Sequence, residues 1–305
     1  MAQVAFLFPG QGSQQPGMGI ELLQDDEVSA LCDQCASAAG IDLRRLLTSA
    51  DDDELRLTQN AQPALTFVGI ALTRLLRRRG IEPSAAAGHS VGEYAALAAA
   101  GSVSAPQVIK AVVERGKAMA EAAPAGTSSM AAVLGLDAQA VEMALAGMND
   151  AWPANYNTAT QTVIAGTTTG LEVAAQRLQV AGAKRVIALN VSAAFHTPLM
   201  APAAERLRAA LDRIEWRSPR VPVMANLTGR AHNGGDRIPH AMEMQLRSPV
   251  RWAACVASLV DMGCDVFIEV GPKRALTGMM RELAPGRTAV AAGTPAAVQE
   301  LAIPG

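Results

Sequence analysis

Residues 85–97 read AAAGHSVGEYAAL, a small apolar run that ends in a glycine and gives way to helix-forming residues. Ser84–Ala87 has the composition of a short buried strand and Glu93–Ala100 that of a helix. Between them, Gly88-His89-Ser90-Val91-Gly92 fits G-x-S-x-G, the nucleophile elbow, in which a sharp strand-to-helix turn exposes a serine hydroxyl. Glycine suits both flanks because a strand and a helix that approach closely leave no room for a Cβ. The same residues would also suit an ordinary turn whose serine caps the next helix. The strand–turn–helix context strengthens the elbow reading until the two stand level.

Working outward, Val4–Phe8 reads as a strand, Pro9–Gly19 as a glycine-rich loop, and Asn60–Arg79 and Ala105–Ala122 as helices. Strands alternating with helices argue for a sheet covered by helices. From Ser128 the texture changes. Met130–Leu134, Thr162–Gly166 and Arg185–Val191 read as strands, with helices at Ala138–Ala146 and Leu171–Ala181. This β-α-β-α-β segment, about 65 residues long, is the size of a small split βαβ unit. Helix Pro198–Ile214, strand Val221–Ala225, helix Val250–Met262, strand Val266–Val270 and helix Lys273–Leu283 return to the first texture. The expected fold is therefore α/β, with a large subdomain over residues 1–127 and 193–305 and a small one inserted at 128–192. Ala284–Gly305 is a Pro/Ala/Gly-rich tail for which no structure is expected.

The chain has 305 residues, half of them apolar, and a net charge of −2. It carries no electrostatic footprint for nucleic acid or for an anionic membrane surface. VAFLFPGQG near the N-terminus lacks a basic flank and reads as a first strand rather than a signal peptide, and no apolar stretch approaches the roughly 20 residues of a spanning helix. The expectation is a soluble, cytoplasmic monomer. Cys32, Cys35, Cys255 and Cys264 have no ligand spacing, so reduced structural thiols are expected and no metal site. The acidic run Asp51–Glu54 reads as a solvated loop, and Arg77–Arg79 as a charged helix end stopped by Gly80.

A serine nucleophile needs a base, and histidine suits that role near neutrality. There are four histidines. His89 sits inside the elbow; His196, in SAAFHTPLM, lies at a strand-to-helix boundary, where it could act as base or merely cap the next helix; His232 and His240 read as surface residues in a Gly/Asn/Pro-rich region. No orienting acid is evident. Glu114, Glu121, Asp137, Glu142, Asp150 and Glu172, between the serine and His196, all look helical or loop-exposed, which weakens an esterase or thioesterase-like serine hydrolase reading. FPGQGSQ at 8–14 offers main-chain N–H groups at a strand end, as an oxyanion hole would, although a plain glycine-rich turn fits too. It lacks the lysine of a phosphate-binding loop.

Together, FPGQGSQ at 8–14, GHSVGEY at 88–94, ERGKAM at 114–119, AAFH at 193–196 and EVGP at 269–272 resemble the malonyl-CoA:acyl carrier protein transacylases, in order and over nearly the whole chain. The inserted unit matches that family's small ferredoxin-like subdomain, and the rest its α/β-hydrolase-like subdomain. The resemblance implies that Ser90 is acylated, that His196 is its base, and that Gln11 and Val91 supply oxyanion-hole N–H groups. It implies that Arg115 pairs with the free malonyl carboxylate, with His89 flanking the site. QLRSPVRW at 245–252 resembles the segment whose first residue, here Gln245, offers its main-chain carbonyl to the base; a dyad oriented in this way needs no acid. Phe195 is the type associated with malonyl, a serine there with methylmalonyl. Malonyl-CoA and an acyl carrier protein are the implied substrates, with no cofactor. Lys184, Arg185 and Lys273 are candidates for docking the acidic carrier. Fatty-acid enzymes, polyketide enzymes acting in trans and malonate decarboxylase transacylases share these motifs, so the pathway stays open.

Overall fold

Every residue of Val4–Phe8 (β1) is buried, as in a strand covered on both faces. The computed structural model, which describes residues 2–122, 126–191 and 193–303, places β1 at the centre of a five-stranded parallel sheet. Its order is β7-β2-β1-β8-β9, with β2 at Ala85–Gly88, β7 at Val223–Met224, β8 at Val266–Glu269 and β9 at Thr288–Ala291. Helices cover both faces. Thr58–Arg78 and Ala105–Ala122 pack on one side, around Phe6, Phe8 and Phe67; Trp252–Asp261 and Ala275–Leu283 pack on the other, around Leu7, Trp252 and Phe267. An open parallel sheet of this kind binds ligands beyond the carboxyl ends of its strands.

The second sheet is antiparallel and built from β3 (Ser128–Leu134), β4 (Ala151–Thr158), β5 (Gln161–Thr167) and β6 (Arg185–Ala188), in the order β4-β5-β3-β6. With helices at Ala138–Ala144 and Thr168–Val180 its chain order is βαββαβ, the ferredoxin-like arrangement. Ala131, Val133, Ile164, Ala174 and Leu178 form its separate core. The expected limit at residue 192 falls on Ser192, outside the described residues, as do Met1, residues 123–125 and residues 304–305.

Several sequence expectations are corrected. The inserted unit has four strands, not three, because β4, with the sequence AWPANYNT, gives no strand signal. Pro153 is tolerated there because β4 is an edge strand, irregular between Pro153 and Asn155. Its free edge meets the large subdomain instead: Tyr156 N–H donates to Val250 C=O at 2.9 Å and Val250 N–H to Ala154 C=O at 2.8 Å. The tail is structured through β9 and the helix Pro295–Glu300, whose Val298 is buried in the main core. Asp51 caps a short helix, Asp52–Arg56, rather than leading a loop. A helix at Ile238–Leu246, also unread in the sequence, carries Gln245.

Candidate active site

The elbow is formed as its glycines require. A Cβ on Gly88 would lie 1.9 Å from Gly92 C, and one on Gly92 would lie 2.1 Å from Phe8 O, so either side chain would force the strand and helix apart. Ser90 at φ 54° and His196 at φ 61° are the only non-glycine residues with positive φ among those described. Strain of this kind persists only where the surroundings enforce it, and it collects at functional sites. At Ser90 the enforcing residue is Asn226: its Oδ1 accepts from Ser90 N–H at 2.7 Å and its Nδ2 donates to Gly88 C=O at 2.7 Å.

Ser90 Oγ lies 2.7 Å from His196 Nε2, and His196 Nδ1 lies 2.9 Å from the Gln245 carbonyl oxygen. A carbonyl can only accept, so the proton is on Nδ1 and Nε2 is free to take the serine proton. His196 is buried, and desolvation, reinforced by the Arg115 cation, pushes its pKa down to about 3. It is a neutral imidazole across the physiological range.

Arg115, on helix Ala105–Ala122, is fully buried. Gly116 allows this: a Cβ there would lie 2.7 Å from Gln59 Cα, so the helix comes close against Thr58–Arg78. The guanidinium donates to Gln62 Oε1 at 2.7 Å, Ser90 Oγ at 3.1 Å and Gln245 Oε1 at 3.1 Å, and lies 5.7 Å from the Tyr94 ring centroid. All three acceptors are uncharged, and Nε has no acceptor. Burial lowers the pKa of this guanidinium. A buried cation whose polar partners are neutral is suited to receive an anion.

These groups converge on a cavity of about 100 Å³ lined by Gln11, Ser90, Val91, Arg115, Phe195 and His196, with His89, Gln62, Met119, Met130, Asn155, Leu189 and Val191. Gln245 lies behind it. Gln11, His89, Ser90, Val91, Arg115, Phe195, His196 and Gln245 are therefore at or against one site. The main-chain N–H groups of Gln11 and Val91 are not taken up by the hydrogen bonds of turns and loops. His89 packs on Trp252 at 5.5 Å, and its Nε2 lies 3.0 Å from Asn157 Oδ1. A second cavity of about 250 Å³ shares Gln11, His89, Asn155 and Leu189 with the first. A groove of about 610 Å³ shares Gln161, Ala275 and Met279 with the second and is bordered by Lys184 and Arg281. The three cavities thus lie next to one another, from Ser90 outward.

His232 is not a surface residue. Its side chain is 2 % exposed and its Nε2 lies 2.7 Å from Glu93 Oε1. His240 is exposed, as expected. Glu93, Asn226, Gln62 and the Gln245 side chain were not anticipated. Glu93 stands within GHSVGEY, but its helix-forming environment gives no hint of burial. Glu269 of EVGP is buried and accepts from the N–H groups of Leu276 and Thr277, so it fastens the helix that borders the groove. All four cysteines are free and buried, and the described residues hold no cluster of three or more potential metal ligands. No described helix is long and apolar enough to cross a membrane.

The acyl transferase domain model matches residues 5–298. The chain is 40% identical to the malonyl CoA-acyl carrier protein transacylase of Bacillus subtilis (strain 168), over 99% of this chain and 97% of that one. An acyl carrier protein S-malonyltransferase from Vibrio cholerae superposes with a TM-score of 0.93 at 37% identity, over 98% and 99% of the two chains. A malonyl-transacylase solved in complex with its type II PKS acyl-carrier protein gives a TM-score of 0.92 at 36% identity, over 98% of each chain. With the family model spanning nearly the whole chain and relatives this similar along their full length, the chain belongs to the acyl transferase domain family.

Proposed function

We propose that the protein moves a malonyl group from malonyl-CoA to the phosphopantetheine thiol of an acyl carrier protein through a malonyl ester of Ser90. The observation that carries this reading is the position of Ser90 Oγ, held between a neutral histidine and a buried arginine with no charged partner. The fatty-acid and polyketide settings share the reaction, and the names of the relatives support both. An esterase would have no use for Arg115.

In the first half-reaction His196 Nε2 takes the Ser90 proton as Oγ attacks the thioester carbonyl. The oxyanion is received by the N–H groups of Gln11 and Val91, and the C–S bond breaks as the coenzyme A sulfur takes the proton from His196. In the second, the carrier thiol gives its proton to His196, its sulfur attacks the ester, and Ser90 recovers the proton. General-base help contributes about 10²–10⁴-fold and each oxyanion donor about 10²–10³-fold. Donor and product are both thioesters, so the overall transfer is reversible, and the covalent intermediate makes it ping-pong. Protons and electron pairs are carried by serine, histidine and the two thiols, and no cofactor is required. The reading is of a cytoplasmic monomer. Incubation with labelled malonyl-CoA, with and without carrier protein, tests it: label held on the protein and passed to the carrier supports transfer, whereas release of free malonate marks a hydrolase and overturns it.

The depressed pKa of His196 has a kinetic signature. Malonylation should stay within about twofold between pH 8 and pH 5, where a histidine at its ordinary pKa of about 6.5 would cost roughly 30-fold. The unfolded chain binds this proton at higher pH than the folded one. The stability contributed by this group is therefore complete above about pH 6.5 and is lost as pH falls toward 3. A pH–rate profile of single-turnover acylation with an acid limb near 6.5 would refute the assignment of a buried base.

Lys184, Arg185 and Lys273 are exposed; Lys184 borders the groove, and Lys273 Nζ donates to Gly12 C=O. If an acidic carrier docks on them, raising ionic strength from about 0.01 to 0.15 M, which shortens the screening length from about 30 to 8 Å, should slow transfer to the carrier more than it slows self-acylation. Equal salt sensitivity of the two half-reactions would exclude electrostatic docking.

A further inference from the structure

Two buried carboxylates stand outside the mechanism: Glu269, which fastens a helix, and Glu93. Glu93, in the first turn of the elbow helix Gly92–Ala99, is 1 % exposed, and its contacts are all to donors, which is how a carboxylate is accommodated away from water. Oε1 faces His232 Nε2 at 2.7 Å; Oε2 accepts from Gln245 Nε2 at 2.8 Å and from the Asn226 N–H at 3.0 Å. Asn226 is the clamp on both sides of the elbow. Gln245 touches everything else that matters: its main-chain oxygen receives His196 Nδ1–H, its Oε1 receives Arg115, and its Nε2 also donates to Ser90 C=O at 3.0 Å. Glu93 Oε2 is the point where the clamp and the base-orienting helix are tied together.

We propose that Glu93 is a positioning residue for acyl transfer, fixing Gln245 so that its carbonyl stays on His196 and its side-chain oxygen on Arg115. The inference deepens the acyl-transfer reading and rests on it. The amide between Glu93 and Arg115 serves a purpose. A carboxylate in direct contact would occupy the guanidinium fork, whereas one placed behind Gln245 brings negative charge near the cation and leaves its donors for the acyl carboxylate. His232 completes the carboxylate's hydrogen bonding from the far side.

The test uses the full-length protein and two readouts. Inactivation by an uncharged fluorophosphonate reports the Ser90–His196 pair without any acyl-CoA, so failure of the malonyl reading stays separate from failure of this one. The ratio of kcat/KM for malonyl-CoA and acetyl-CoA reports Arg115. Glu93→Ala should slow inactivation about tenfold or more, the scale of one charge-assisted hydrogen bond, and lower the malonyl preference. Glu93→Gln should recover inactivation to within about threefold, because its oxygen can accept from Gln245 and Asn226 while its NH₂ meets His232 in the other tautomer. In a Gln245→Ala background, which keeps the main-chain carbonyl, Glu93→Ala should cost less than about threefold more. Should Glu93→Ala not fold, Glu93→Asp, one methylene short of Gln245, carries the same expectation. A folded Glu93→Ala protein that inactivates at the parental rate with its malonyl preference intact, or losses from the two sites that multiply, would overturn the proposal.

Discussion

Ser90→Ala should leave no acyl group on the protein after incubation with malonyl-CoA, and transfer to the carrier should fall on the order of 10⁶-fold, the size of loss when a serine hydrolase loses its nucleophile. Among the described residues lining the cavity, Ser90 carries the only hydroxyl, so no neighbour can take its place. The substitution should not disturb the fold. Asn226 grips the elbow through Ser90 N–H and Gly88 C=O, and Gln245 Nε2 reaches Ser90 C=O; none of these contacts uses the hydroxyl. The serine already sits at positive φ, a strain that alanine inherits in the same measure. Intact-protein mass spectrometry decides the matter: a malonyl adduct of undiminished abundance on the alanine variant would place the nucleophile elsewhere.

The elbow was legible in the sequence because its constraint is steric and local. Gly88 and Gly92 are forced by atoms about 2 Å from where their Cβ would stand, and that need appears as two letters four positions apart. The order of the five motifs points to Ser90, His196 and Arg115, and the fold brings the histidine and the arginine within hydrogen-bonding distance of the serine. The parallel core was legible too, since strands such as Val4–Phe8 are apolar on both faces. What escaped had two physical causes. Strand β4 owes its conformation to an edge position and to Val250, partners far away in sequence, so its proline and asparagines hid it. Glu93, Asn226 and His232 escaped because a buried polar network has no periodicity: each residue is polar and taken singly reads as surface. Only the fold shows that Glu93 faces Gln245, 152 positions away. A buried glutamate one turn from a nucleophile can still be suspected wherever the elbow helix is otherwise as apolar as Tyr94–Ala99.

Arg115→Ala should separate the two kinds of acyl group. Taken alone, an arginine in the second half of an 18-residue helix is most economically placed in solvent, and the burial of this one is the reason to assign it a task. Its acceptors, Gln62, Ser90 and Gln245, carry no charge, and a cation held in that way is poorly compensated until an anion arrives. A guanidinium offers a carboxylate two parallel hydrogen bonds, a geometry that lysine cannot reproduce. Removing it leaves a malonyl carboxylate facing two amides and Tyr94, whose phenol is held neutral by burial. The malonyl-CoA kcat/KM should therefore fall roughly 10²-fold or more, about 3 kcal/mol at the strength of a charge-assisted pair. Acetyl-CoA has nothing to lose. It should react at the parental rate or faster, since the added space beside Ser90 no longer holds a charge that an uncharged acyl group must bury. Measuring kcat/KM for both donors in both proteins distinguishes this from damage. An equal loss on the two substrates would mean that Ser90 or Gln245 had moved, and an undiminished malonyl rate would mean that the carboxylate is bound by something other than Arg115.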